Sequence, residues 1–130
     1  MRRLIVLVAA VLVGCSSTSS TVVASGPPVR LTIAAPKGAT LGGFSTKILS
    51  APAGGPITIV FHNADPGVLH NVQIFAGTTA SGPPVFAPAG NALITGPATT
   101  TYKVGPLASG TYTFDCFAHP ATMVGTLTVG

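Results

Sequence analysis

Sixteen glycines and twelve prolines are scattered along the whole chain. An interior proline costs a helix ~3 kcal/mol and an interior glycine about 1 kcal/mol, so long helices are excluded almost everywhere. Short strands joined by frequent turns tolerate the same residues well. The chain is therefore expected to be all-β. With 130 residues, 47% of them apolar, it suffices for one domain with one small core. There is no tryptophan, so that core must be built from Val, Ile, Leu, Ala and six phenylalanines.

Alternation of apolar and polar residues places the strands. Val29, Leu31 and Ile33 share one face of a strand, with Arg30 and Thr32 on the other. The stretch from Phe44 to Leu49 carries a weaker strand signal. Ile57, Ile59 and Phe61 alternate with Thr58, Val60 and His62, which puts His62 on the surface side. Asp65-Pro66-Gly67 reads as a turn, with Asp65 serving it. His70, Val72 and Ile74 share the phase of the next strand. Residues 76–98 are expected to form a long loop, with a short strand near Val85-Phe86. Thr99 to Val104 is another strand, and Gly105 to Gly110 turns the chain. Tyr112, Phe114 and Cys116 point inward along the strand that follows, and Met123, Gly125, Leu127 and Val129 along the last. Seven to eight short strands of this kind indicate a β-sandwich.

The N-terminus reads as an address. Arg2 and Arg3 precede an apolar run from Leu4 to Val13, too short to cross a bilayer, which takes about twenty apolar residues. The run ends in Leu12-Val13-Gly14-Cys15, which resembles the lipobox of bacterial lipoproteins. Residues 1–14 are thus expected to be a removable signal peptide and Cys15 the lipidated residue. Residues 15–28 would form a flexible Ser/Thr/Pro tether, and residues 29–130 the folded domain. About thirteen tether residues at ~3.3 Å each reach at most roughly 40 Å from the membrane. Lipidation uses one of the two cysteines, leaving Cys116 as a single thiol in an extracytoplasmic domain. A lone thiol there is a liability unless a metal holds it.

Charge excludes more than it suggests. Outside the leader, Arg30, Lys37, Lys47 and Lys103 oppose Asp65 and Asp115. Four isolated cations without interleaved aromatics make no nucleic-acid footprint. Two acids leave little scope for paired-carboxylate catalysis.

The strand phases bring four chemically distinctive residues together. His70 faces inward from the first position of its strand and Cys116 from the last position of another. His119 and Met123 follow Cys116 on the connection to the final strand. One thiolate and two imidazoles in a trigonal plane, with a weak axial thioether, suit both Cu(I) and Cu(II). A lone buried cysteine is usually just a small hydrophobe, but here a histidine follows three residues later and a methionine seven later. Structural zinc prefers thiolates or imidazoles to a thioether. A Cys–His hydrolase would need a group to orient its base, and none is evident. A binuclear copper site would need a second loop cysteine, which Phe117, Ala118, Pro120 and Ala121 do not supply.

The segment from Tyr112 to Val129 resembles the C-terminal strand–loop–strand of plastocyanin and its cupredoxin relatives. Leu69-His70-Asn71-Val72 resembles their first-histidine motif. The resemblance spans roughly Val29 to Gly130 and implies a Greek-key β-sandwich binding one copper ion. His70 would be the buried equatorial ligand, Cys116 the thiolate, His119 the ligand nearest solvent and Met123 the axial ligand. The loop from His119 to Met123 is one residue shorter than plastocyanin's. Asp115 stands where plastocyanin has tyrosine, and no acidic docking patch exists. The resemblance also implies supporting roles for Asn71, whose amide would donate to the Cys116 sulfur while its side chain ties the ligand loops together. Ala118 stands where proline is common, and so offers a second amide donor.

The expected function is one-electron transfer at the extracytoplasmic membrane surface, without catalysis. Electrons would pass through the His119 edge, with Val68, Leu69, Pro120 and Ala121 around it. Redox proteins such as a cytochrome or a membrane redox complex are the expected partners of a monomer. A copper-delivery lipoprotein of the same fold is the alternative, and a copper-free structural sandwich a third reading. Neither exposed methionines nor a further histidine cluster favours delivery.

Overall fold

The computed structural model describes residues 24–130. The leader, Cys15 and most of the expected tether lie outside the described residues. The folded part begins earlier than position 29: the Ser25 and Gly26 amides donate to the Gly54 carbonyl at 2.8 and 3.1 Å. The end of the expected tether is thus docked on a turn of the domain.

Among the described residues there are nine strands: β1 (Val29–Ala35), β2 (Ile48–Ala51), β3 (Ile57–Asn63), β4 (Leu69–His70), β5 (Gln73–Ala76), β6 (Ile94–Thr95), β7 (Ala98–Gly105), β8 (Gly110–Asp115) and β9 (Val124–Val129). One sheet has the order β1-β3-β7 and the other β2-β9-β8-β5. β4 and β6 pair separately. Successive strands β1, β2 and β3 alternate between the two main sheets, which yields parallel pairs β1–β3 and β2–β9 among otherwise antiparallel neighbours. A four-residue helix, α1 (Ala39–Gly42), lies between β1 and β2. Among the described residues no helix is long and apolar enough to cross a membrane.

The alternating positions fill the space between the sheets. Leu31, Ile33, Ile57, Ile59, Phe61, Phe114, Leu127 and Val129 are all buried in one cluster. Phe44 joins the two layers. Its ring meets Phe61 of β3 edge-on at 6.3 Å and Phe114 of β8 at 5.6 Å. Each fully buried phenylalanine contributes on the order of 1.5–3 kcal/mol, and such ring pairs about 0.5–1.5 kcal/mol more. Phe44 itself is not in a strand. The expected strand from Phe44 to Leu49 shortens and shifts to Ile48–Ala51 because Phe44 is used as a plug. Tyr112 donates its hydroxyl to the Ala108 carbonyl at 2.8 Å, fixing the corner that leads into β8.

Two departures from simple alternation shape the ligand end. The expected strand through His70, Val72 and Ile74 breaks after His70. β4 pairs with β6, whereas β5 pairs with β8 in the main sheet. The chain therefore changes sheets at Asn71-Val72, and every residue from His70 to Phe75 is buried. The expected long loop over residues 76–98 consequently contains β6 and the start of β7. Val85-Phe86 adds a short bridge to Ile74 at the edge of the second sheet. The second departure is in β8, where Thr113 and Asp115 are buried as well as Tyr112 and Phe114.

Candidate metal centre

The site is built where β4 and β8 end and β9 begins. His70 closes β4, Cys116 directly follows β8, and Met123 directly precedes β9. The loop between Cys116 and Met123 is held in a compact turn by its own backbone. The His119 amide donates to the Cys116 carbonyl at 3.0 Å and the Met123 amide to the His119 carbonyl at 3.0 Å. The Cys116 amide donates to the Met123 carbonyl at 3.1 Å, closing the loop at its base. Pro120, which lacks an amide hydrogen, sits at a loop position that donates none of these bonds. At Gly125 a Cβ would run into the Phe114 ring, so glycine lets β9 approach β8 just behind the site.

The side chains converge. His70 Nδ1 lies 3.7 Å and His119 Nδ1 3.8 Å from Cys116 Sγ. These three ligand atoms all lie within 4.8 Å of one another. The imidazoles meet at a ring separation of 4.9 Å, inclined by 62°. His70, Cys116 and Met123 are fully buried, whereas His119 is partly exposed. Burial first, and then the neighbouring His70 imidazole, hold the His119 pKa below its ordinary value. Both effects favour the neutral imidazole, the form that ligates a metal.

The polar surroundings brace this cluster. Asn71 Oδ1 accepts the Phe117 amide at 2.9 Å, and Asn71 Nδ2 donates to the carbonyls of Asn91 and Ala92, each at 3.2 Å. Gln73 Nε2 donates to Asn91 Oδ1 at 2.9 Å. On the far side of His70, its Nε2 lies 3.0 Å from Asp65 Oδ2. Asp65 Oδ1 accepts the Gly38 amide at 2.9 Å. The hydrogen bond from His70, and then that from Gly38, hold the Asp65 carboxyl below the usual carboxylate range.

Asp65 corrects the sequence reading. The sequence assigns it only to the Asp65-Pro66-Gly67 turn, yet it is 4% exposed and its carboxylate contacts a candidate ligand. The turn is instead capped by Asn63, whose Oδ1 accepts the Asp65 amide at 3.0 Å. Asn63 Nδ2 donates to the Val68 and Ile94 carbonyls at 2.8 Å, which links the turn to β6. The one available signal was that Asp65 stands five residues before His70 on the segment leading back to it. Asp115 is likewise buried, at 2% exposure; its Oδ1 has no hydrogen-bond partner among the described residues, and burial pushes its pKa up to about 6. His62 is exposed and its Nδ1 lies 2.9 Å from Thr99 Oγ1, away from the cluster.

A buried thiol, two imidazole nitrogens beside it and a buried thioether at the next strand form a donor set for a single copper ion. The fold and site together define a mononuclear copper protein of β-sandwich architecture. The sequence matches the family model described as "Cupredoxin-like domain" over residues 4–129, and the chain belongs to that family. The family binds one copper, and His70, Cys116, His119 and Met123 are positioned to form its site. Among solved structures, the chain is similar to a dithionite-reduced auracyanin from Roseiflexus castenholzii. Identity is 27%, coverage 81% of this chain and 99% of that one, and the TM-score 0.63. Auracyanin A, a "blue" copper protein from Chloroflexus aurantiacus, is 24% identical over 80% of this chain and all of its own, with a TM-score of 0.64. Rusticyanin from Thiobacillus ferrooxidans is 24% identical, covering 82% of this chain and 79% of that one, with a TM-score of 0.55. Comparison with curated protein sequences gives no match.

Proposed function

We propose that this chain is a one-electron carrier with a mononuclear type 1 copper site, working at the extracytoplasmic membrane surface through a lipid on Cys15. The observation that carries the reading is the pair of imidazole nitrogens 3.7 and 3.8 Å from a fully buried thiol. Copper held there would cycle between Cu(I) and Cu(II), since this donor set suits both. His70, Cys116 and His119 supply the equatorial donors and Met123 the axial thioether. The bracing by Asn71 and the closed Cys116–Met123 loop keep the donors in place through the cycle, so little rearrangement opposes transfer. The Asn71 and Ala118 amides are proposed donors to the Cys116 sulfur, where they would favour the more electron-rich Cu(I) state. The auracyanin of 27% identity is a dithionite-reduced protein, which supports a redox role.

His119, the partly exposed ligand, is the route by which electrons would enter and leave. Next to the ligands in sequence, Leu69 is 46% and Phe117 50% exposed, and Pro120 and Ala121, which follow His119, are also exposed. Phe117 enlarges the apolar docking face expected from sequence. Asp65 and Asp115 are both buried while Arg30, Lys37, Lys47 and Lys103 are exposed, so all charged side chains on the described surface are cationic. The partner, a redox protein such as a cytochrome or a membrane redox complex, would meet an apolar face on a domain whose exposed charges are cationic. Complete burial of His70 and Met123 argues against rapid ligand exchange of the kind copper delivery needs. Voltammetry of the copper-loaded protein tests the reading: a reversible one-electron wave is expected, and copper binding without reversible redox cycling would contradict it.

A further inference from the structure

We propose that Asp65 is a positioning residue for His70, fixing the proton on Nε2 so that Nδ1 faces Cys116 as a ready ligand and lowering the reduction potential of the bound copper. The inference rests on the copper reading above and adds to it a residue that lies outside the donor set.

A carboxylate only accepts hydrogen bonds, and the neutral imidazole donates from one nitrogen and accepts at the other. With Asp65 Oδ2 3.0 Å from His70 Nε2, the proton belongs on Nε2. The Nδ1 lone pair is then left free, 3.7 Å from Cys116 Sγ. The opposite tautomer would set two acceptors against each other in a buried pair.

Asp65 is itself held from three sides. Its Oδ1 accepts the Gly38 amide, its own amide donates to Asn63 Oδ1, and its carbonyl packs against Gly96 so closely that a Cβ there would clash. The backbone of Asp65 is thus fixed, and the Gly38 amide on Oδ1 leaves Oδ2 facing the imidazole. Two acceptor oxygens serve two donors, Gly38 N–H and His70 Nε2–H. Asparagine at this position has a single acceptor oxygen and cannot serve both.

The electronic consequence follows from charge. A carboxylate hydrogen-bonded to the outer nitrogen makes the imidazole a stronger donor. A fixed negative charge behind the ligand favours Cu(II) over Cu(I), and so lowers the potential. Loss of such an outer partner typically costs about 10–100-fold in metal affinity. If Cu(II) binding loses about tenfold more than Cu(I) binding, the potential rises by about 59 mV.

Two measurements test this on the wild-type protein and Asp65→Asn. In the metal-free wild type, imidazole nitrogen NMR should show His70 protonated at Nε2. An Nδ1-protonated His70 would overturn the proposal whether or not the protein carries electrons, and whether or not the variant folds. In the copper-loaded proteins, Asp65→Asn should keep the thiolate-to-copper absorption and shift the potential upward. An unchanged or lower potential with that absorption retained would also overturn it. Absence of any copper binding by the wild type would instead count against the functional reading, leaving the tautomer result to stand.

Discussion

Asn71 and Phe117 each follow a candidate ligand in sequence, and Asn71 Oδ1 accepts the Phe117 amide at 2.9 Å across a separation of 46 residues. The bond joins the segment carrying His70 to the loop carrying Cys116 and His119. Through Nδ2 the same side chain also holds the carbonyls of Asn91 and Ala92. Asn71 is fully buried, so its polar groups have no solvent to turn to.

Replacing Asn71 by alanine should therefore cost about 1–3 kcal/mol through backbone groups left without partners. Asn71→Asp keeps an acceptor for the Phe117 amide but sets an oxygen against two carbonyls, so it should not restore wild-type stability. Urea melts of the metal-free proteins would measure both. Wild-type stability in Asn71→Ala would contradict the bracing role.

Asp115 predicts a pH dependence. Its folded-state pKa of about 6 lies above the ordinary value of 3.8, so the folded protein holds this proton more tightly than the unfolded chain. The contribution to stability is complete below about pH 4 and is lost as the pH rises through about 6. Above that range the buried charge is a cost to the folded state. Asp115→Asn should thus stabilise the metal-free protein at pH 7 and change it little at pH 4. Melts of both proteins at the two pH values check this, and an equal effect at both would contradict it.

Much of the fold was legible because its physical signals are local. Glycine and proline excluded long helices, and alternation around Leu31, Ile59, Phe114 and Leu127 marked strands that do face one core. The convergence of His70, Cys116 and His119 was also legible, since strand phase fixes the facing of the first two and spacing carries the third. β4 and β6 were not, because two-residue strands have no period to detect. Nor was the burial of Asp115 on the opposite face of β8 from Cys116, which depends on packing that strand phase does not report. Asp65 was misread for another reason. Aspartate before Pro-Gly has a sufficient local explanation as a turn residue, and its partner His70 acts through tertiary contact.

In the proposed site, His70, Cys116, His119 and Met123 hold copper through the Cys116 thiolate. Titrating Cu(II) into the wild type, Cys116→Ser and His62→Ala while recording the visible spectrum distinguishes this site from any other. The wild type and His62→Ala should each develop an intense thiolate-to-copper band that saturates at one copper per chain, and Cys116→Ser should develop none. His62 serves as the control because it is exposed and bonded to Thr99, away from the cluster. No band in the wild type, a band retained by Cys116→Ser, or a band lost in His62→Ala would contradict the account.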